Sequence, residues 1–217
     1  MAVDNDLPTG RRGFREPISA IAHAALILDQ AANAHIAGQH GQAGDLIRAA
    51  NLPELREWLE SVWGKSPHIH YRSVPDQPVF VAVADRGNRR MPTTAEKKQV
   101  VERDGHHCRL CGIPVIRPEV RTALHCAYPE ALPWGRTNND QHAAFQVMWL
   151  QYDHVVPHAR GGTNEQANLI VACAACNFGR MNYTLAEVGF APLGDLEVIR
   201  SGWDGLERVM TVEARWA

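Results

Sequence analysis

Two Cys-x-x-Cys pairs, Cys108 with Cys111 and Cys173 with Cys176, constrain this 217-residue chain more than any other feature. Two intervening residues let both sulfurs of a pair face one ion, and two such pairs supply the four ligands of a tetrahedral site. The expectation is a structural Zn²⁺ site that staples two distant parts of the chain together. Sixty-one residues separate Cys111 from Cys173, against the roughly 15 to 20 of a compact zinc ribbon. Loop-closure cost grows only logarithmically and adds about 1 kcal/mol here, so the length does not oppose a joint site. Ordinary buried thiols and a redox pair are the competing readings, and the pattern shows no thioredoxin-like βαβ setting for the second. The fifth cysteine, Cys126, lies in an amphipathic run and reads as a small apolar packing residue.

Composition bounds the rest. Apolar residues at 45% and charged residues at 21% are those of an ordinary globular chain, with room for a module of roughly 100 residues and a second small unit. The opening MAVDNDLPTGRRGF has no charged-then-apolar secretory pattern, and no long unbroken apolar run follows. A cytoplasmic, membrane-free setting is therefore expected, and unpaired thiols suit its reducing conditions. A net charge of -2 excludes general attraction to a polyanion. Even residues 90–180 hold only ten Lys and Arg against eight Asp and Glu. Arg86, Arg89 and Arg90 read equally as a solvated linker or a phosphate clamp.

Apolar periodicity predicts a helix from Pro17 to about Gly38, a short one over Asp45 to Ala50, and a third from Pro53 towards Gly64. Pro78 to Ala84, reading PVFVAVA, has the β-branched content of a buried strand. Thr94 offers a helix cap, and that helix fades at Asp104-Gly105, just before the first cysteine pair. Pro118 opens another helix. Ala143 to Tyr152 reads as a strand that delivers Asp153 and His154, Leu169 to Val171 as a second strand, and a helix starts near Ala174. A Thr184 cap and one short helix near Trp203 to Val209 complete the chain. The expected fold class is α+β, with a mainly helical region with one strand over residues 1–91, a compact module over 92–183 and a packed extension over 184–217.

Asp153-His154-x-x-Pro157, Gly161-Gly162, Asn168-Leu169 and Cys173-x-x-Cys176-Asn177-x-x-Arg180, preceded by RDGHHCRLCG, together resemble the HNH endonuclease family in its zinc-knuckle variety. The resemblance covers roughly residues 95 to 182 and implies a ββα-metal fold and hydrolysis of phosphodiester bonds in DNA, with RNA also admissible. It implies His154 as general base, a role that a neutral imidazole suits, and Asp153 and Asn177 as ligands of a catalytic Mg²⁺ or Mn²⁺, since both offer hard oxygen donors. Asn168 would brace the loop that orients His154. Arg180, three residues after Asn177 on a helix, would reach the scissile phosphate or its neighbour.

Blander readings stand beside these. His106, His107, His125, His142 and His158 read first as solvated or structural; of these His158, beside the loop, reads second as a substrate contact and not as a metal ligand. Trp134 reads first as a core aromatic and second as a base-stacking surface. At the level of the whole chain, a non-catalytic zinc module that recruits nucleic acid or protein is one alternative. A nuclease subunit of a larger defence or phage-type assembly is another, in which the N-terminal region holds a protein partner or a homodimer.

Overall fold

The computed structural model describes residues 11, 13–63, 66–87, 89–210 and 216. The three N-terminal helices form, the second starting at His40, five residues before the expected Asp45 and running through Gly41 and Gly44. α1 (Ser19–Ile36) buries Ile21, Leu28 and a row of alanines, and those small side chains let α2 (His40–Ala49) lie close, with Ala43 and Ile47 turned inward. Gly38, at φ +75°, makes the reversal between them. α3 (Pro53–Ser61) starts on a proline at its first turn and buries Leu55, Trp58 and Leu59. The Trp58 indole N–H donates to the Glu16 carbonyl at 2.9 Å.

Residues 66–91 do not form the expected strand. Residues 78–82 form no strand and Val83–Asp85 close into a 3-10 turn, and Val79 and Val83 are 78% and 77% exposed. Among the described residues the Val81 amide makes the one backbone bond from this stretch to the module beneath, to the Ala159 carbonyl at 2.9 Å. β-Propensity measures fit to a pleated neighbour, and no partner strand lies alongside. This strap is instead tied down by side chains. Arg160 donates to the Pro78 carbonyl at 2.9 Å, Arg86 to the Val81 carbonyl at 2.9 Å, and Tyr71 stacks on Tyr183 at 3.8 Å between ring centres.

α4 (Thr94–Asp104) is capped one residue earlier than expected. Thr93 and Glu96 satisfy each other's backbone amides in a capping box, so the TTAE run places the cap three residues before the glutamate. That bonding holds the Glu96 carboxyl below its usual range. At the far end Asp104 is fully buried and accepts from Arg103, Arg109 and the Val171 amide, which pins α4 to the module's second strand. Burial opposes its ionisation, but these donors outweigh burial and hold it below the usual carboxylate range.

After the first cysteine turn come α5 (Pro118–Ala127) and α6 (Ala143–Val147). The expected strand over Ala143 to Tyr152 is thus corrected in its first half. All five residues of α6 are buried, and a continuous apolar run does not distinguish helix from strand by period. Contact with α3 and a bond from the Ala143 amide to the Asn51 side chain at 2.8 Å settle it as helix. Cys126 is also corrected: it is exposed, on the side of α5 away from Val120 and Leu124.

β1 (Leu150–His154) and β2 (Leu169–Cys173) pair antiparallel with Asp153 opposite Ile170 and His154 opposite Leu169, and α7 (Ala174–Arg180) follows directly. One apolar cluster runs without a break from Ile21 on α1 to Leu206 near the C-terminus. The expected helix near Trp203 to Val209 is only a three-residue 3-10 turn, because Gly205 and Leu206 both take positive φ and interrupt it. Thr184 and Glu187 do cap each other, but on a turn.

Candidate active site

The four paired cysteines converge. Cys108, Cys111, Cys173 and Cys176 are buried with all four sulfurs within 4.8 Å of one another, and the Cys111 and Cys173 sulfurs are 3.7 Å apart. Zinc–sulfur bonds of about 2.3 Å in a tetrahedron place sulfurs about 3.8 Å apart, so the donor set fits Zn²⁺ in kind and in spacing. The two turns are built alike: the Cys111 amide points at the Cys108 sulfur at 3.5 Å and the Cys176 amide at the Cys173 sulfur at 3.4 Å. Burial disfavours the Cys108 thiolate, yet bonds from its neighbours pull this thiol well below its ordinary value. Burial and the neighbouring Cys108 push Cys173 well up, and bonding to Cys108 does the same for Cys176. A cation lets all four ionise together. The knuckle also fixes β2, because the Arg109 amide donates to the Val171 carbonyl at 2.9 Å.

On the opposite end of the module a cleft of about 340 Å³ opens between the end of β1, α7 and the strap. Asp153, His154, Asn177, His158 and Arg180 all line it. Asp153 and His154 are consecutive on β1 and so leave opposite sides of the strand, while α7 turns Asn177 back over the same opening.

Asp153 is 4% exposed and Arg180 1%. The Arg180 guanidinium grips both carboxylate oxygens and also donates to the carbonyls of His154, Val155 and Tyr183. Arg180 is therefore turned onto Asp153 and the strand end. Burial raises the Asp153 carboxyl above its ordinary value, with Arg180 opposing that rise. Each carboxylate oxygen accepts in two directions, so each keeps acceptor capacity beyond the arginine clasp. Asp153 and Asn177 both line this opening, and a carboxylate and a carboxamide together offer hard oxygen donors of the kind that suits a divalent cation such as Mg²⁺ or Mn²⁺.

His154 has a partner that its sequence neighbourhood did not reveal. Its Nε2 lies 2.8 Å from Asn164 Oδ1, and the Asn164 amide nitrogen donates to the carbonyls of Arg89 and Met91 on the strap at 3.1 and 3.2 Å. Two carbonyl acceptors fix the orientation of the Asn164 amide, so its oxygen faces the imidazole and Nε2 carries the hydrogen. In the neutral ring Nδ1 is then the unprotonated nitrogen, and it makes no hydrogen bond among the described residues. Burial lowers the His154 pKa from its usual value, which keeps the ring neutral. The only sequence hint of Asn164 was a second asparagine between Gly161-Gly162 and Asn168.

Asn168 accepts from the Val156 amide at 2.8 Å and donates to the carbonyls of Val156 and Thr163 at 3.2 and 2.8 Å, closing the loop after β1 upon itself. The two glycines are there for space and sign. Gly161 has φ +82°, and a Cβ on Gly162 would lie 1.7 Å from the Val156 carbonyl oxygen. His158 lines the cleft and contacts the Gly87 carbonyl at 3.1 Å. Arg86 and Arg90 line the cleft as well, whereas Arg89 pairs with Glu96. Trp134 has Arg121 over its ring at 3.8 Å and packs on Trp149, so a ring face is already occupied. His142 is buried and contacts the Ile47 carbonyl at 2.8 Å. Burial brings His142 down to about 4, and His107 likewise to about 4.

Residues 138–180 match the family model described as HNH endonuclease, a span that takes in β1, β2, α7 and the second cysteine pair but neither the first pair nor the strap. Comparisons with curated proteins and with solved structures give no match. No helix of the described residues is long and apolar enough to cross a membrane.

Proposed function

We propose that this chain, whose residues 138–180 match the HNH endonuclease model and whose ββα module carries a four-cysteine cluster, is a metal-dependent nuclease that hydrolyses phosphodiester bonds in DNA at the cleft between β1, α7 and the strap. His154 acts as general base: Asn164 holds Nε2 protonated, so Nδ1 takes the proton of the attacking water. Asp153 and Asn177 hold a divalent cation, Mg²⁺ or Mn²⁺, which when bound supplies positive charge where the phosphate gains negative charge. Arg180 orients the Asp153 carboxylate and ties it to the end of β1, a positioning role. Asn168 keeps the loop closed, and with it the Asn164 side chain in place. The four-cysteine site holds structural Zn²⁺ and fixes β2 and α7 relative to α4.

The observation that carries this reading is the meeting of His154, Asp153 and Asn177 at one opening, with the imidazole already held in the tautomer a base needs. Incubation with supercoiled plasmid in Mg²⁺ or Mn²⁺ tests it. The wild-type chain is expected to nick or linearise the plasmid, and His154→Ala to lose at least about 100-fold in rate while keeping its zinc content and unfolding midpoint. A wild-type chain that never cuts, or a His154→Ala chain that cuts as well, overturns it.

A further inference from the structure

Large apolar side chains that face solvent are unevenly placed on this molecule. Among the described residues all but Ile36 belong to the strap or to the end of α7 and the residue after it, and Phe80, Met91, Phe178 and Met181 line the cleft that holds Asp153 and His154. Clustered exposed apolar groups mark a surface that meets a partner. All four line the same cleft as Asp153 and His154, so whatever occupies that cleft meets them, and under the nuclease reading that occupant is the substrate.

Two of the four are fixed from behind. Phe80 is 59% exposed, yet its ring lies 4.6 Å from the guanidinium of buried Arg160. That guanidinium is held in turn by Glu187 at 3.0 Å and by the carbonyls of Asn182 and Pro78. Phe178 is 43% exposed and rests edge-on against Trp63 and Trp149, with ring centres 5.9 and 5.8 Å away. These are rigid aromatic platforms at the mouth of the cleft. Met91 and Met181 beside them are adaptable apolar contacts, and Arg86 and Arg90 bring positive charge to the same wall.

A continuous duplex suits this rim poorly. Its outward surface near any phosphate is sugar and further phosphate, and an apolar group pressed against a phosphate removes water without replacing its hydrogen bonds. A base out of the stack presents a π face that an aromatic side chain can cover, and apolar side chains also wedge open base steps. We propose that the cleft takes DNA whose bases are unstacked at the cut site, single-stranded or locally unpaired, with bases next to the scissile phosphate lying on Phe80 and Phe178 and nearby phosphates met by Arg86 and Arg90. The proposal rests on the nuclease reading above and names the substrate class of that same cleft.

The test uses the full chain carrying His154→Ala, so that substrate survives, and three oligonucleotides of one sequence with a central 2-aminopurine: a single strand, a perfect duplex and a duplex with an unpaired bubble. Anisotropy is expected to show the single strand and the bubble bound at least about tenfold more tightly than the duplex, in keeping with base stacking on aromatic side chains. A change in 2-aminopurine fluorescence is expected on binding those two alone. Adding Phe80→Ala is expected to erase most of the preference, and Phe80→Tyr to keep it. Equal binding of the three, or a preference untouched by Phe80→Ala, overturns the proposal; the second result assigns the rim to another partner, such as a protein. If no oligonucleotide binds while the wild-type chain still cuts plasmid, this proposal alone falls. If nothing binds and nothing is cut, the nuclease reading falls with it.

Discussion

The cysteine cluster and the cleft share α7 and draw on opposite strands of one hairpin, the cluster on β2 and the cleft on β1, yet they are built on opposite principles. The cluster is closed: four like ligands, all buried, meet each other and little else. The cleft is open, and its groups come from β1, α7 and a strap that precedes them in the chain by roughly 60 residues or more. A structural site needs only its ligands to converge, whereas a reactive site needs each group held by another while one side stays accessible. Asn164 on His154 and Arg180 on Asp153 are those second holders.

The largest expected effect separates the two sites through zinc. Cys173→Ser, or chelation of the wild-type chain, removes a ligand set whose apparent contribution in small zinc modules is about 10 kcal/mol or more. Loss of zinc by elemental analysis together with loss of the cooperative thermal transition is the expected result; a chelated chain that melts unchanged would show that packing alone builds the module.

Next in size is Asp104, which links the knuckle side of the molecule to β2. Asp104→Asn leaves Arg103 and Arg109 facing a neutral group and should cost about 3 kcal/mol in urea unfolding. Because the folded Asp104 carboxyl titrates below its unfolded value, its stabilisation is complete above about pH 4 and disappears as pH falls through the folded pKa. Wild type should therefore lose part of its margin over the variant on acidification, and a margin that stays constant down to about pH 2 would contradict the burial and bonding described.

A smaller effect distinguishes holding from acting in the cleft. Asn164→Ala should slow plasmid cleavage about tenfold, as loss of an outer hydrogen-bond partner does at other sites, with the unfolding midpoint unmoved. Nitrogen NMR of the His154 ring supplies the readout that a merely structural residue would not shift: Nε2–H alone in wild type, a mixture of tautomers in the variant. A single tautomer in both would remove Asn164 from the positioning role. Least of all, Val79→Ser should change stability by no more than about 0.5 kcal/mol, as for any exposed position; a large loss would mean that the strap is a buried strand after all.

Much of the molecule was legible from short-range pattern. The paired cysteine spacing, the order of strand, loop, strand and helix, and the sequence Asp153-His154 to Asn177 are local, because each follows from residues within a few positions of one another. The cap of α4 is local too: Glu96 selects Thr93, three positions before it, over Thr94. PVFVAVA and the run from Ala143 depart from the expected strands for a different reason. An apolar, β-rich stretch states what it can pack against, and whether a strand partner or a helix is there depends on chain far away.

By itself, then, the amino-acid sequence determined the thiol quartet and the ββα order, since ligand chemistry and periodicity act over a few residues. Tertiary structure decided that the strap brings Phe80, Arg86, Arg90 and Met91 to the cleft, that Asn164 reads two of its carbonyls and so sets the His154 tautomer, and that Phe80 and Phe178 line one opening. Those outcomes depend on hydrogen bonds and contacts between residues about 70 to 100 positions apart, such as Asn164 with Arg89 and Phe80 with Arg160. No local propensity encodes such pairs; only the packed chain brings them within reach.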